Sequence, residues 1–92
     1  MIKSFRCKET SAVYEGRSSK RWNSIEPVII RKLQMLDAAY RLKDLRSPPG
    51  NRLEALSGDR AGQHSIRING QWRICFVWAD DGVADVEITD YH

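Results

Sequence analysis

Residues 65–89 of this 92-residue chain are SIRINGQWRICFVWADDGVADVEIT. Three segments in which apolar and polar residues alternate are separated by two turn signals, Asn69-Gly70 and Asp80-Asp81-Gly82. Alternation with a period of two residues is typical of strands with one buried face, and short turns rich in Asn, Asp and Gly join antiparallel neighbours. The stretch therefore predicts an antiparallel meander with strands at 65–68, 72–78 and 83–89.

The pairing register of the first hairpin follows from its apolar residues. The apolar residues of 65–68 and 72–78 share one face only if the loop between them has three residues, 69–71, because a one-residue slip turns every side chain to the opposite face. This register places Arg67 directly opposite Arg73. Applied to the second turn, the same loop length predicts a left-handed Gly82.

The second hairpin then brings more apolar residues to the same face. We expect Ile74 to pair with Ile88, and Phe76 to pair with Val86. The resulting apolar face requires a second layer to cover it.

The first half of the chain supplies that layer. Apolar residues recur at helical spacing and predict a helix from about Ser24, a favoured N-cap, to about Arg41. The stripe consists of Ile25, Ile29, Leu33, Leu36 and Tyr40. A short strand at 2–5, a short helix at 10–15 closed by a glycine, and a break at 47–51 complete the pattern. We expect one α+β domain over residues 1–92, with N-terminal helices packed on a mainly antiparallel sheet in two layers.

Composition and charge narrow the class of protein. Hydrophobic residues make up 41% of the chain, but no apolar run approaches the length of a membrane span. Cys7 and Cys75 lie far apart without metal-ligand spacing, so we expect no metal site and a reducing cytoplasm. Residues 1–79 carry a balance of +8, whereas residues 80–92 carry five acids and no Lys or Arg. A basic body indicates a polyanionic partner, although it also keeps a small domain soluble.

Arg67 and Arg73 form the first candidate site. Like charges directly across a strand pair destabilise a sheet, so a sequence that retains both is expected to share an anion between them. Two alternatives remain: both side chains extend into solvent, or Glu87, diagonal to Arg73, neutralises one of them.

The C-terminal residues Asp90-Tyr91-His92 form the second candidate site. Imidazole exchanges protons near neutral pH, a carboxylate orients it, and a tyrosine ring stacks on a base. The alternative is a frayed polar chain end.

Several segments in order resemble the HigB toxins of the RelE superfamily. They are MIKSF (1–5), SPPGN (47–51), LEALSGDRAG (53–62), SIRI (65–68), QWRICF (71–76), VEI (86–88) and DYH (90–92). The resemblance covers essentially the whole chain at the family's usual length.

The resemblance implies a toxin of a bacterial type II toxin–antitoxin system with a RelE-like fold. Toxins of this family are ribosome-dependent mRNA endonucleases that cut in the A site of the 30S subunit, stop translation and need no metal or other cofactor. A HigA-type helix-turn-helix antitoxin neutralises them, and operator DNA is contacted only through the antitoxin. The implied location is the bacterial cytoplasm, with no membrane contact.

The resemblance also implies roles for individual residues. The residues that match family active-site positions are Arg73, Asp90, Tyr91 and His92, and those that match RNA-binding positions are Arg60 and Arg67; we add Asn51 as a predicted RNA contact and Arg73 as a phosphate contact. Some family members have histidine where this chain has Glu54, and many have lysine where it has Ser57. Glu54 is therefore a candidate for an alternative base.

These departures keep a different class of function open. A weakly or non-catalytic RNA- or ribosome-binding module, or a domain whose main interaction is with its antitoxin, fits the composition as well as a nuclease does.

Overall fold

The computed structural model describes residues 1–90, in which a helical first half is followed by a sheet. The helices are α1 (Lys8–Tyr14) and α2 (Glu26–Ala38), and the strands are β1 (Glu54–Ala55), β2 (His64–Arg67), β3 (Trp72–Ala79) and β4 (Gly82–Asp90). Short 3-10 turns lie at Asn23–Ile25, Leu42–Arg46, Pro49–Asn51 and Gly58–Arg60. The strand order is β1-β2-β3-β4 with antiparallel neighbours throughout, so the predicted α+β architecture is confirmed.

Helix α2 covers the sheet with one apolar face. Ile29, Leu33 and Leu36 are fully buried, as the predicted stripe requires. Both predicted ends of the helix are wrong. A 3-10 turn at Asn23–Ile25 precedes the helix, so Ser24 is not its N-cap. The helix ends at Ala38, and Tyr40 beyond it is 94% exposed rather than part of the stripe.

Helix α1 is attached to β4 by a buried hydroxyl. It begins at Lys8, earlier than the predicted Thr10, and a left-handed Gly16 with φ of 94° follows it. The hydroxyl oxygen of the buried Thr10 accepts a hydrogen bond from the backbone N–H of Ile88 in β4 at 3.2 Å. This bond fixes the helix against the last strand.

The first hairpin has the predicted register. Arg67 pairs with Arg73, and Ile66 pairs with Ile74. The side-chain oxygen of Asn69 accepts hydrogen bonds from the backbone N–H groups of Gln71 and Trp72, both at 2.8 Å. These bonds stabilise the three-residue loop that the apolar pattern demanded.

The second hairpin differs from the prediction. Ala79 pairs with Gly82, so the loop has two residues, not three. The pair Ile74–Ile88 is confirmed, but the pair predicted between Phe76 and Val86 is wrong. A β-bulge at this point sets two residues of β4 opposite one of β3 and restores the buried face beyond it.

The N-terminal segment runs along the outer edge of β4. The strand predicted at residues 2–5 consists of two isolated parallel bridges, Ile2–Val83 and Phe5–Val86. The backbone N–H of Arg6 donates to the carbonyl oxygen of Val86 at 3.0 Å. This edge contact brings the first residues of the chain beside the last strand. No helix within residues 1–90 is long and apolar enough to cross a membrane.

Candidate active site on the open face of the sheet

The sheet face opposite the helices carries three of the predicted site residues, Glu54, Arg67 and Arg73. Strand pairing arranges the residues of this face in two rows, Glu54–Ser65–Cys75–Glu87 and Arg67–Arg73–Thr89. We call this surface the open face. The small side chains of Ser65 and Cys75 lie at its centre and are buried, and the Cys75 sulfur lies 3.3 Å from the Thr89 hydroxyl oxygen. Cys75 is therefore a packed strand residue, as its position predicted.

Arg67 and Arg73 lie side by side on this face, as the register predicted. Both side chains are partly exposed. Within residues 1–90, Arg67 forms no ion pair. Two guanidinium groups on adjacent strands provide bidentate donors for a single phosphate group.

Arg73 is oriented by a carboxylate from two strands away. Its Nη1 atom lies 3.4 Å from Oε1 of Glu54 on β1. The contact crosses β2, in which the small Ser65 pairs with Glu54. The arginine is largely covered, with a side chain 21% exposed, whereas Glu54 is 51% exposed. The contact holds the arginine across the sheet rather than out in solvent.

Glu87 holds a different pair of cations from the one considered in the sequence. Its Oε1 atom accepts a hydrogen bond from Nη1 of Arg60 at 2.9 Å and lies 3.9 Å from Nη1 of Arg6. The alternative in which Glu87 neutralises Arg73 is therefore corrected, because its carboxylate points toward Arg60. Arg60 also donates to the side-chain oxygen of Gln63 at 3.0 Å, so its guanidinium is fixed from two sides.

A cavity of about 290 Å³ opens between these groups. Its lining consists of Glu54, Ala55, Leu56, Ser57, Arg60 and Arg73. Two guanidinium groups and one carboxylate thus face a space close to the lower limit of about 300 Å³ for small-ligand pockets. We call it the site cavity. Such a lining favours an anionic group that needs both charge and hydrogen-bond donors.

Asp90 is the last residue of β4 and directly follows Thr89 of the open face. It pairs with Trp72, and Nε2 of Gln71 donates to its Oδ2 atom at 3.3 Å. The side chain is exposed. Tyr91 and His92, the other two members of the predicted C-terminal group, lie outside the described residues.

Asn51 is the one predicted RNA contact that the structure contradicts. The residue is fully buried, and its Nδ2 donates to the carbonyl oxygens of Leu45 at 3.1 Å and Ser47 at 3.3 Å. Its side-chain oxygen accepts a hydrogen bond from Nζ of Lys32. Asn51 therefore closes the turn that leads into β1, and its side chain is not accessible to RNA.

Sequence reasoning missed Arg6 as a neighbour of the site. Nothing in the local sequence marks this residue, since the contact with Glu87 depends on the parallel bridge between Phe5 and Val86. His64 behaves as predicted for a packing residue: its ring is nearly parallel to that of Phe76, with centroids 6.2 Å apart.

Comparison with known proteins assigns this chain to a family. Residues 3–92 match the family described as the RelE-like toxin of type II toxin-antitoxin system HigB. The chain belongs to this HigB-like toxin family. It is 45% identical over 94 residues to Toxin HigB-1 from Vibrio cholerae serotype O1, covering 100% of this chain and 98% of that relative. It is 32% identical over 93 residues to Endoribonuclease HigB from Proteus vulgaris, covering 100% of both.

A solved structure agrees with the fold of this HigB-like toxin. The YoeB-YefM complex from Staphylococcus aureus matches with a TM-score of 0.58 and 17% sequence identity, over 100% of this chain and 98% of the matched chain. At that identity the match supports the fold alone. The family and the RelE-like fold expected from the sequence are both confirmed.

Proposed function

We propose that this HigB-like toxin is an endoribonuclease that cuts mRNA in the A site of the 30S ribosomal subunit and thereby stops translation. The observation that carries the proposal is the Arg67–Arg73 pair beside the site cavity, with Arg73 oriented by Glu54. The name of the Proteus vulgaris relative, Endoribonuclease HigB, supports the same activity.

The proposed reaction uses the RNA's own nucleophile. The 2′-hydroxyl oxygen attacks the adjacent phosphorus, the bond from phosphorus to the 5′-oxygen breaks, and a 2′,3′-cyclic phosphate forms. One protein group removes the 2′-hydroxyl proton and another delivers a proton to the departing 5′-oxygen. Negative charge grows on the phosphate oxygens between these steps. Arg73 stabilises that charge, and Arg67 binds a phosphate of the same strand.

The proton transfers are assigned to the C-terminal group. His92 acts as base or acid, Asp90 orients it, and Tyr91 stacks on or orients a base. Glu54 is the alternative base. In the structure its carboxylate contacts Arg73, which favours an orienting role for Glu54.

The partners follow from the family. We propose that a HigA-type helix-turn-helix antitoxin neutralises the toxin and that operator DNA is contacted only through that antitoxin. The proposed location is the bacterial cytoplasm, where the ribosome and mRNA are found.

A second candidate function is an RNA- or ribosome-binding module with little catalysis. One observation favours it: Arg73 and Arg60 each contact a carboxylate, Glu54 and Glu87, which lowers the positive charge available to a transition state. Ser57 also lines the site cavity at a position where many family members have lysine.

The test is an end-group analysis of mRNA from a translating extract. With the toxin added, fragments should carry a 5′-hydroxyl, which polynucleotide kinase labels without prior phosphatase treatment, and a 2′,3′-cyclic phosphate. The same mRNA without ribosomes should stay intact. Translation arrest without any new mRNA ends would reject the nuclease and support the binding module.

A further inference from the structure

A second cavity lies on the other side of β1 from the site cavity. It measures about 350 Å³ and is bounded by the 3-10 turn Leu42–Arg46, by Leu53 and by His64. We call it the rear cavity. Glu54 and Ala55 of β1 line both cavities, so this two-residue strand is the wall between them.

We propose that the rear cavity binds one nucleotide of the RNA strand whose phosphate occupies the site cavity, an inference that rests on the proposed function. Successive residues of a strand point to opposite faces. Glu54, paired with Ser65, faces the open side, whereas Ala55, paired with His64, faces the helices. Since β1 is the edge strand of the sheet, an RNA strand that leaves the site cavity over this edge enters the rear cavity.

The lining of the rear cavity suits a base. Leu42 and Leu53 are half-buried apolar side chains, and the His64 ring is stacked on Phe76 behind it. Unpaired RNA bases are held by stacking on aromatic rings, including histidine, and by apolar contact. The volume lies within the range of about 300–1,000 Å³ that is usual for small-ligand pockets.

The rim of the rear cavity suits a phosphate. Lys43 and Arg46 line it, both are exposed, and neither forms an ion pair within the part of the chain that the structure describes. The nearby Asp44 carboxylate points elsewhere: it accepts the backbone N–H groups of Arg41 at 3.0 Å and Tyr40 at 3.1 Å. The bond from Arg41 is the main reason that the pKa of Asp44 is lowered, and the charges of Arg41 and Lys43 add to the effect. Lys43 and Arg46 remain exposed, so a polyanion can reach both.

A protein segment is the competing occupant. An acidic stretch of the antitoxin would match the charge of Lys43 and Arg46. RNA is favoured because the two cavities adjoin across β1, where they share Glu54 and Ala55, and because the His64 ring lines the rear cavity. A bound protein segment would require neither feature.

The experiment compares short, mixed-sequence RNAs with 2′-O-methyl groups throughout, which cannot be cut. Fluorescence anisotropy measures their affinity for the whole protein with two and with five nucleotides, over a series of salt concentrations. The variant is Lys43→Ala/Arg46→Ala. The matched control, Lys8→Ala/Arg31→Ala, removes the same charge from exposed positions on α1 and α2 that line neither cavity.

We expect wild type and control to bind the five-nucleotide RNA more tightly than the two-nucleotide RNA. The Lys43/Arg46 variant should lose that gain and keep its affinity for two nucleotides. Its slope of log affinity against log salt should fall by about 0.7, because the two cations share one phosphate and each phosphate contact on a single strand contributes about 0.7. Leu53→Ala should weaken five-nucleotide binding without changing the slope.

Two outcomes overturn the proposal. One is five-nucleotide binding by the Lys43/Arg46 variant with the affinity and salt slope of the control. The other is unchanged RNA binding together with lost binding to the antitoxin, which would assign the rear cavity to a protein. Failure of the proposed function looks different: wild type leaves mRNA uncut on the ribosome, while the five-nucleotide gain still depends on Lys43 and Arg46.

Discussion

Glu54 and Arg73 come from strands that are not neighbours, and their side chains meet across β2. A carboxylate near a catalytic arginine can act as a base, or it can hold the arginine in position. The 3.4 Å contact between Oε1 of Glu54 and Nη1 of Arg73 favours the second role. An orienting group and a base differ in what their removal does to pH dependence, which makes the two roles separable.

Glu54→Gln keeps a hydrogen-bond acceptor for Arg73 and removes the titratable group. We expect mRNA cleavage to fall by less than about tenfold, with the acidic limb of the pH–rate profile retained between about pH 5 and 8, because another group supplies the base. Glu54→Ala, which removes the acceptor, should be the slower of the two. If Glu54→Gln lost the acidic limb of the pH–rate profile, Glu54 would be identified as the base.

His92 carries the proton-transfer assignment. Deletion of this residue should lower mRNA cleavage by about a hundredfold or more, as expected for a general acid or base. Thermal stability and antitoxin binding should be unaffected, since the proposed role of His92 is confined to proton transfer. The measurement is cleavage on programmed ribosomes, with a melting curve for each protein. Undiminished cleavage by the His92 deletion would show that Glu54 and the arginines carry out the reaction without His92.

The turn Pro49–Asn51 shows how an element can mislead a sequence interpretation. Asn51 in this turn is predicted to contact RNA. The structure instead uses the side chain to satisfy the carbonyl oxygens of Leu45 and Ser47 just before β1. A buried amide that satisfies backbone groups stabilises the fold, because an unsatisfied buried polar group costs free energy.

Asn51→Ala tests this assignment. It removes the side-chain donor to the carbonyl oxygen of buried Leu45 and to the partly buried carbonyl oxygen of Ser47, so we expect the free energy of unfolding to fall by about 2 kcal/mol. RNA affinity per folded molecule should stay at the wild-type value. Urea denaturation measures the free energy of unfolding, and fluorescence anisotropy measures the RNA affinity. Weaker RNA binding at unchanged stability would return Asn51 to the RNA interface.

The β3–β4 hairpin depends on a glycine where the N-terminal segment crosses it. Gly82 has a φ of 149°, and a Cβ atom built there would lie 2.6 Å from the carbonyl oxygen of Met1. Gly82→Ala should therefore lower the free energy of unfolding by about 2 kcal/mol or more, because it strains the backbone and displaces the N-terminal segment. Gly50→Ala, where nothing lies within 4 Å, is the matched control. Equal stability of the two variants in urea would contradict this account.

Across the whole molecule, local pattern predicted the sheet well because its period is strict. Alternating residues determined the register of β2 and β3, and with it the Arg67–Arg73 pair. The second hairpin was predicted less well because β4 contains a bulge, in which Asp85 has a φ of 54°. Nothing in the local sequence indicates this bulge. A bulge changes the loop length without changing which side chains are buried.

Long-range contacts limited what the sequence revealed of the candidate site. Arg6, Arg60 and Glu87 come from three distant parts of the chain. They meet only in the folded protein, where both arginines contact the Glu87 carboxylate. Family resemblance identified Arg60 as a basic position but not its partner. The prediction for Asn51 failed for the same reason, because the burial of a side chain depends on the assembled fold rather than on its own segment.

We propose that the open face cuts mRNA through Arg73. Primer extension on mRNA in a translating extract compares wild type, Arg73→Ala and the control Arg31→Ala, an exposed arginine of α2. We expect Arg73→Ala to cut about a hundredfold more slowly, a loss of about 3 kcal/mol of transition-state stabilisation. Arg31→Ala should cut like wild type, and all three proteins should melt at the same temperature. Undiminished mRNA cuts by a folded Arg73→Ala protein would show that Arg73 is not needed for cleavage.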